Sequence, residues 1–297
     1  MAIYKTYEQI GLAEDVSNII SDITPTDTPM YSMIKTEKVH ARQYQYMTDT
    51  LASAGANAQL EGFTASAGTA IPTVMITGNT QILQKTFQVS ATADAVKAYG
   101  RAKETAYQLS KALKEIKKDV EYAFVGASNA TAVGNATTAR EMASADQLIA
   151  SAVSTDAGSN STDALTEAKM LVNMQAVYNA GGEPSIMMCK PADSLIISAM
   201  TGASGRSREF NDGNKTLTNA VNLYVSPFGE YKVVLNRHQM TTHMFMLDPS
   251  MWRTASLRPF ARTLLAKTGD SDTHMVVGEL GLMHKNPLGS GMITGLS

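Results

Sequence analysis

Residues 94–126, DAVKAYGRAKETAYQLSKALKEIKKDVEYAFVG, read as one unbroken helix with a thin apolar seam. Val96, Tyr99, Ala102, Ala106, Leu109, Leu113, Ile116, Val120 and Ala123 recur at steps of three and four, the spacing of one helical face. Charged residues such as Lys97, Arg101, Glu104, Lys111, Lys114, Glu115, Lys118 and Glu121 fill the other faces. Leu109, Leu113, Ile116 and Val120 are the expected core of this rod. At 1.5 Å per residue it would run on the order of 45–50 Å. A compact globule of this chain length is only roughly 50 Å across. A rod spanning the whole body leaves little chain to wrap its ends, so cover from neighbouring molecules is expected.

The flanks extend this argument. Residues 1–40 look like an arm: an amphipathic patch, YEQIGLAEDVSNIISDI, leads into TPTDTPMYSMI. Its prolines disfavour helix for the residues before them. Met30, Met33 and Ile34 follow, with nothing nearby in sequence to bury them; they either pack on the chain's own core or are candidates for contact with an adjacent subunit. Residues 41–93 read as a long two-stranded excursion. One limb is ARQYQYMTDTLASA and the other TAIPTVMITGNTQILQKTFQVSATA, with the small, polar GANAQLEGFTASAG between them. A two-stranded ribbon is marginal in water by itself, and its open edges need covering. Leu60 and Phe63 at its far end are further contact candidates.

After the rod, 127–159 reads as a loop rich in Ala, Thr, Asn and Gly. Residues 160–250 read as an α/β lobe. A helix capped by Thr162 or Asp163 runs to Gly181–Gly182, with Leu165, Ala168, Met170, Leu171, Met174 and Val177 as its buried stripe. SIMMCK (185–190) is a buried strand, and PADSLIISAM a second helix with Pro191 in its first turn. The polar loop TGASGRSREFNDGNKT carries Arg206 and Arg208, candidates for touching a phosphate or an acidic neighbour. NLYVSPFGEYKVVLNRH is a hairpin by its turn chemistry, and MFMLDP a strand stopped by Pro249. Residues 251–297 return to β, with MWRTASLRPFARTLLAK and DTHMVVGELGLMHKN joined through TGDSD.

Composition narrows function by exclusion. Lys+Arg number 25 against 27 Asp+Glu, a net charge of −2. That balance argues against a dedicated nucleic-acid binder and against a polybasic membrane-surface protein. The single Cys, Cys189, excludes an intrachain disulfide and a Cys-based metal cluster, and its setting reads as a small buried hydrophobe. The N-terminus has no signal-peptide pattern, and no apolar run is long enough to span a membrane. There is no phosphate-binding GxxxxGK[ST] loop, no GxGxxG after a strand and no GxSxG elbow. His40, His238, His243, His274 and His284 form no ligand pattern and read as surface or interface histidines. Glu279, beside Gly278 on a strand, is a candidate buried acid, but a lone carboxylate is weak support for acid–base chemistry. No catalytic residue, cofactor or metal site is expected.

The order of arm, β-excursion, very long helix, α/β lobe and closing strands resembles the tailed-phage major capsid proteins with the Hong Kong 97 fold. ITPTDTPMYSMI in the arm and ELGLMHKNPLGSGMITGL in the tail are similar to one phage subfamily within it. The resemblance implies an α+β capsid fold: N-arm 1–40, E-loop 41–93, a P-domain of 94–159 with spine helix 94–126, A-domain 160–250 and P-domain return strands 251–297. It implies a non-enzymatic subunit that assembles with copies of itself, as pentamers and hexamers, into an icosahedral virion shell. The shell would enclose double-stranded DNA without reading its sequence. The implied partners are a portal, a separate scaffolding protein or none, and a decoration protein, with no membrane, and synthesis falls in the bacterial host cytoplasm. Some members of this family cross-link an E-loop Lys to a neighbour. No Lys lies between Lys38 and Lys85, and Lys85 at the ribbon's base is poorly placed, so covalent cross-linking is not expected. An encapsulin-type compartment shares the fold and is the alternative; a soluble α/β enzyme is the more distant one.

Overall fold

The computed structural model describes residues 26–65, 68, 70–96, 103–157, 163–203, 223–267 and 269–297. A short helix α1 (Pro29–Met33) leads into strand β1 (Lys35–Lys38). Strands β2 (Gln43–Thr48) and β3 (Val74–Asn79) follow, then β4 (Gln81–Ser90), a five-residue helix α2 (Ala91–Ala95) and the long helix α3 (Glu104–Glu121). A π-helical turn (Tyr122–Gly126) continues α3. Next come α4 (Ala145–Leu148), β5 (Ser154–Asp156), α5 (Glu167–Asn179), β6 (Ile186–Cys189) and α6 (Pro191–Ala203). The chain closes with β7 (Leu223–Ser226), β8 (Gly229–Leu235), β9 (Met244–Leu247), β10 (Trp252–Leu264), β11 (Ser271–His284) and β12 (Gly291–Thr294).

The helix expected over 94–126 is interrupted. Ser90 caps α2 through its hydroxyl, but Val96 is extended, and Lys103 ahead of α3 is extended too. Regular helix begins at Glu104, so the rod from there to Gly126 is roughly 35 Å long. Its buried line runs through Ala112, Ile116, Val120 and, in the π-helical turn, Ala123 and Phe124. Leu109 is half-buried and Leu113 is 39% exposed. Leu113 is therefore not part of the chain's own core: a helix lying on a sheet buries a narrow stripe, and Leu113 falls beside it.

Two sheets sandwich the end of this rod. A four-stranded sheet has the order β1-β10-β11-β4, and a six-stranded sheet the order β5-β12-β9-β6-β8-β7. One core cluster lies where they meet, with Val120, Phe124 and Val125 from the rod, Trp252, Leu280 and Leu282 from the first sheet, and Met188, Phe245, Leu247 and Met292 from the second. A second cluster covers the other face of the six-stranded sheet, where Met187, Cys189, Met244 and Met246 meet Met170 and Met174 of α5 and Ile197 of α6. Alternate residues of MFML and IMMC thus serve different cores. A strand covered on both faces reads as a continuous apolar run.

The sheets cross the divisions drawn at 159/160 and 250/251. β5 pairs in parallel with β12, and β12 is antiparallel to β9, so both ends of that chain join the six-stranded sheet. β1, from the arm, pairs in parallel with β10. β4, from the excursion, pairs along β11, so the free-standing ribbon is β2–β3 alone. α5 starts later than expected, capped by Thr166, whose hydroxyl accepts from the Lys169 amide. Its buried stripe includes Asn173 in place of Ala168, and Asn173 donates to the Val153 and Met292 carbonyls at 2.8 and 2.9 Å. The presumed loop 127–159 also supplies core: Met142, Ala145, Ile149 and Val153 are buried.

Candidate intersubunit surfaces

The ribbon is built from its root outward. β2 pairs antiparallel with β3 in the register Gln43↔Asn79 to Thr48↔Val74. Near the root, Tyr44 turns inward and donates its hydroxyl to the Leu282 carbonyl at 2.6 Å. Its ring lies against two glycines. A Cβ on Gly78 would meet the ring at 2.4 Å, and one on Gly281 at 2.9 Å. The absence of side chains there makes the slot into which Tyr44 plugs. Burial, with the neighbouring Tyr46, holds the Tyr44 phenol well above its ordinary pKa, so it stays a donor.

The second root contact is an acid clamp. Thr80, between β3 and β4, donates its hydroxyl to Glu279 Oε1 at 2.8 Å, and its amide to the Arg42 carbonyl at 2.9 Å. Arg140 bonds Glu279 through Nη2 and the Thr80 carbonyl through Nε at 2.8 Å. Arg258 Nε reaches the other Glu279 oxygen at 3.0 Å. Glu279 is thus the buried acid anticipated from sequence, and its work is to fasten the ribbon to the four-stranded sheet.

Beyond the root, cover disappears. All described residues from 49 to 75 are exposed, including Leu51 at 97%, Leu60 at 84% and Phe63 at 60%. Met47 faces Met75 across the ribbon and both are exposed. Scattered apolar residues on a surface are ordinary. A narrow ribbon that carries Met47 and Met75 on its strands and Leu51, Leu60 and Phe63 on the connection between them, with open edges, is not a structure that satisfies itself.

The arm behaves differently. Met30 and Ile34 are buried in the chain's own core and Met33 packs on it half-buried, so Met30 and Ile34 are not available to a neighbour. Their seat is Glu121, at the end of α3. Its carboxylate accepts from the amides of Met30 and Tyr31 at 2.8 and 2.9 Å, and from Asn236 Nδ2 at 2.6 Å. The first two are free donors at the start of α1, which a helix leaves unpaired. Burial pushes the Glu121 pKa up, while these hydrogen bonds act against the rise. Tyr31 also tilts against Phe124, ring centres 6.2 Å apart. By sequence, Glu121 falls among the charged residues away from the apolar seam of the helix. Its partners lie about 90 residues or more away, and no local pattern signals them.

Other expectations shift likewise. Lys85 is ion-paired to Asp119 of α3 at 2.8 Å, tying β4 to the rod. His274 and His284 are buried, not surface histidines. His284 stacks on Trp252 at 4.0 Å, and its Nδ1 sits 3.3 Å from the Leu148 carbonyl. Burial drives its pKa down to about 4. Burial, with Asp193 nearby, pushes the Cys189 thiol up to about 12. Arg206 and Arg208 lie outside the described residues. Among the described residues no His, Cys, Asp and Glu gather into a metal-binding group, and no helix is long and apolar enough to cross a membrane.

The family profile of the SU10 major capsid protein matches residues 2–297. The chain belongs to the SU10 major capsid protein family. This capsid subunit is 31% identical to the major capsid protein of Escherichia phage Phieco32, over 98% of this chain and 96% of that one. Its fold is that of other shells. The cyanophage A-1(L) capsid subunit superposes with a TM-score of 0.69 at 12% identity, covering 98% of both chains. The capsid of a native GTA particle gives 0.63 at 11% identity, again covering 98% of both. The SrpI encapsulin of Synechococcus elongatus gives 0.63 at 7% identity, covering 100% of this chain and 97% of that one. The α+β Hong Kong 97-like fold, the role as a structural phage head protein and the place in the virion capsid are therefore those expected from the chain's layout. The long helix, the ribbon and the two sheets are the parts of a shell subunit, not of an enzyme.

Proposed function

We propose that the subunit closes with its copies, as pentamers and hexamers, into an icosahedral shell around double-stranded DNA, held without sequence recognition. In this reading 1–40 is the N-arm, 41–93 the E-loop and 94–126 the spine region. The six-stranded sheet with α5 and α6 is the core of the A-domain, and the four-stranded sheet the core of the P-domain. Leu60 and Phe63 are the leading contact residues, joined by Leu113 on the spine. A portal, a separate scaffolding protein and a decoration protein complete the particle, and synthesis takes place in the host cytoplasm.

The observation that carries this proposal is a ribbon firmly fastened at its root and apolar and uncovered along its length. Repeated heterologous contacts close into rings and shells. A reaching element makes each further contact effectively intramolecular, so weak contacts suffice. The test replaces residues 51–72 with an Asn-Gly turn, which the flanking strands accept. The expected product is a folded subunit that sediments as small oligomers. Shells indistinguishable from those of the intact chain would overturn the proposal. Particles of the intact chain should contain nuclease-protected DNA after packaging.

A further inference from the structure

The groove where the rod ends against the six-stranded sheet is not absorbed by any of this. It is lined by Tyr122, Gly126 and the loop from Arg237 to Thr242. Its walls are fixed. Met240 donates its amide to the Val125 carbonyl at 2.9 Å, and the His238 amide donates to Asn236 Oδ1 at 2.9 Å. Gly126 approaches the loop so closely that a Cβ would meet the His238 carbonyl oxygen at 2.4 Å. One wall is apolar, with Tyr122 largely exposed and Met240 half-buried. The other is basic: Arg237 is exposed, and Lys118 and Arg237 both lie near enough to His238 to disfavour its charged form. Gln239 is only 6% exposed, yet its Oε1 has no partner among the described residues, and neither has His238 Nε2. A buried polar atom of this kind calls for a partner.

One piece of this chain has the matching chemistry and starts at the right place. The Met30 amide and Asn236 Nδ2 both meet Glu121 Oε1, so the described chain begins, at residue 26, close to the loop that lines the groove, with residues 1–25 ahead of it in sequence. That segment carries one lysine, Lys5, against Glu8, Glu14, Asp15 and Asp22. Leu12, Val16, Ile19 and Ile20 stand between its acids and Ile23 follows the last of them, all at helical spacing. We infer that the groove is the docking site of the acidic, apolar-striped segment 1–25 of the same chain, the acids meeting Arg237 and Lys118 and the apolar stripe meeting Tyr122 and Met240. The groove then stands as a built-in receptor for the arm of the unassembled subunit, independent of how the shell is put together.

Hydrogen exchange on dissociated, full-length subunits tests this. Amides of residues 8–23 should exchange at least about tenfold more slowly than in the synthetic peptide 1–25. Arg237→Glu should bring the two within about twofold, and Glu14→Lys with Asp15→Lys should restore protection in that variant. Exchange in β10 and β11 reports whether each variant keeps its fold. Where Arg237→Glu loosens them, Tyr122→Ser is read in the same way. Free-peptide exchange in the intact chain, or protection untouched by either substitution, overturns the inference. So does protection that vanishes on dilution, which sends the segment to a second copy. Loss of duplex-DNA binding in Arg237→Glu with segment protection unchanged assigns the groove to the polyanion and overturns it too.

Discussion

Glu121→Gln tests the joint on which the subunit's three parts meet. The substitution keeps shape and volume but exchanges one acceptor oxygen for an NH₂ donor. Three donors converge on the carboxylate: Met30 and Asn236 on Oε1 and Tyr31 on Oε2. Whichever way the amide turns, its NH₂ confronts at least one of them, and a buried amide of α1 or the Asn236 side chain loses its partner. Hydrogen bonds to a charged acceptor contribute about 1.5–3 kcal/mol each, and leaving a buried donor unpaired costs about 1–3 kcal/mol. Relief from burying a charge offsets part of this, because burial is the larger influence on Glu121. A net loss of about 3 kcal/mol follows, or about 5 °C in Tm for a chain of this size. The pH dependence has a definite sign. The Glu121 pKa is raised on folding, so the folded state binds more protons than the unfolded one, and stability falls as pH rises from about 4.5 through the raised value. Glu121→Gln should remove that slope while lowering the whole curve. Urea unfolding of dissociated subunits across pH 4–8 measures both, with limited proteolysis at residues 26–34 reporting release of the arm. A variant as stable as the parent, with its arm still protected, would refute the assignment of Glu121 as the seat of α1.

Three further outcomes follow from the same geometry. Arg140→Met leaves Glu279 with Arg258 as its one cationic partner beside the Thr80 hydroxyl, and strips the Thr80 carbonyl of its Arg140 donor; removing one partner of a largely buried pair costs about 3–5 kcal/mol, read as a lower urea midpoint together with faster exchange of the β2 and β3 amides. His284, neutral when folded with a pKa of about 4 against an ordinary 6.5, should take about 3 kcal/mol of stability away as pH falls from 6.5 to 4; His284→Phe, which keeps the stack on Trp252, should flatten that limb of the stability curve. Ile116→Asp should unfold the subunit by burying an unpaired charge, whereas Leu113→Asp should leave a folded monomer by circular dichroism that fails to assemble, and equal damage from the two would contradict the placement of the buried stripe.

Some of this architecture is legible in the chain and some is not, for physical reasons. The β10–β11 hairpin is plain because long runs of strand formers flank the turn-forming TGDSD. The hairpin β7–β8 is plain because Pro227 and Phe228 sit in a tight turn closed by Gly229, which has a φ of 142°. The extent of the long helix is misread. Val96, Tyr99 and Ala102 continue its three-four spacing across a stretch where Val96 and Lys103 are extended. Gly100 is the local warning, as a glycine weakens a helix interior by about 1 kcal/mol. Partition of residues between own core and neighbour is the harder matter. Met30 and Phe63 are equally apolar to a reader of sequence. One is buried because Glu121 captures the backbone beside it, and the other lies exposed because nothing in the chain reaches that far.

The placement of polar groups explains why so exposed a ribbon can be useful. Ordering a flexible segment on binding costs free energy that must come out of the contact itself. Here that cost is met within the subunit. Tyr44 is fixed between Gly78 and Gly281, and Thr80 is fixed on Glu279 between two arginines. Both fastenings lie on the four-stranded sheet, whose β11 also packs Leu280 and Leu282 onto Phe124 and Val120 of the rod. The ribbon's direction is thus coupled to the rod's position through one continuous run of packed side chains. A root aimed in advance fixes the direction in which β2 and β3 carry the connection 49–73, which lowers the entropic cost of any contact made there, and a contact repeated between copies adds up through effective concentration. On this reasoning, weakening the root should impair assembly more than unfolding data alone would indicate. Arg140→Met subunits, even under conditions where they remain folded, should need a higher protein concentration to form shells, and an unchanged assembly threshold would separate the ribbon's aim from its function.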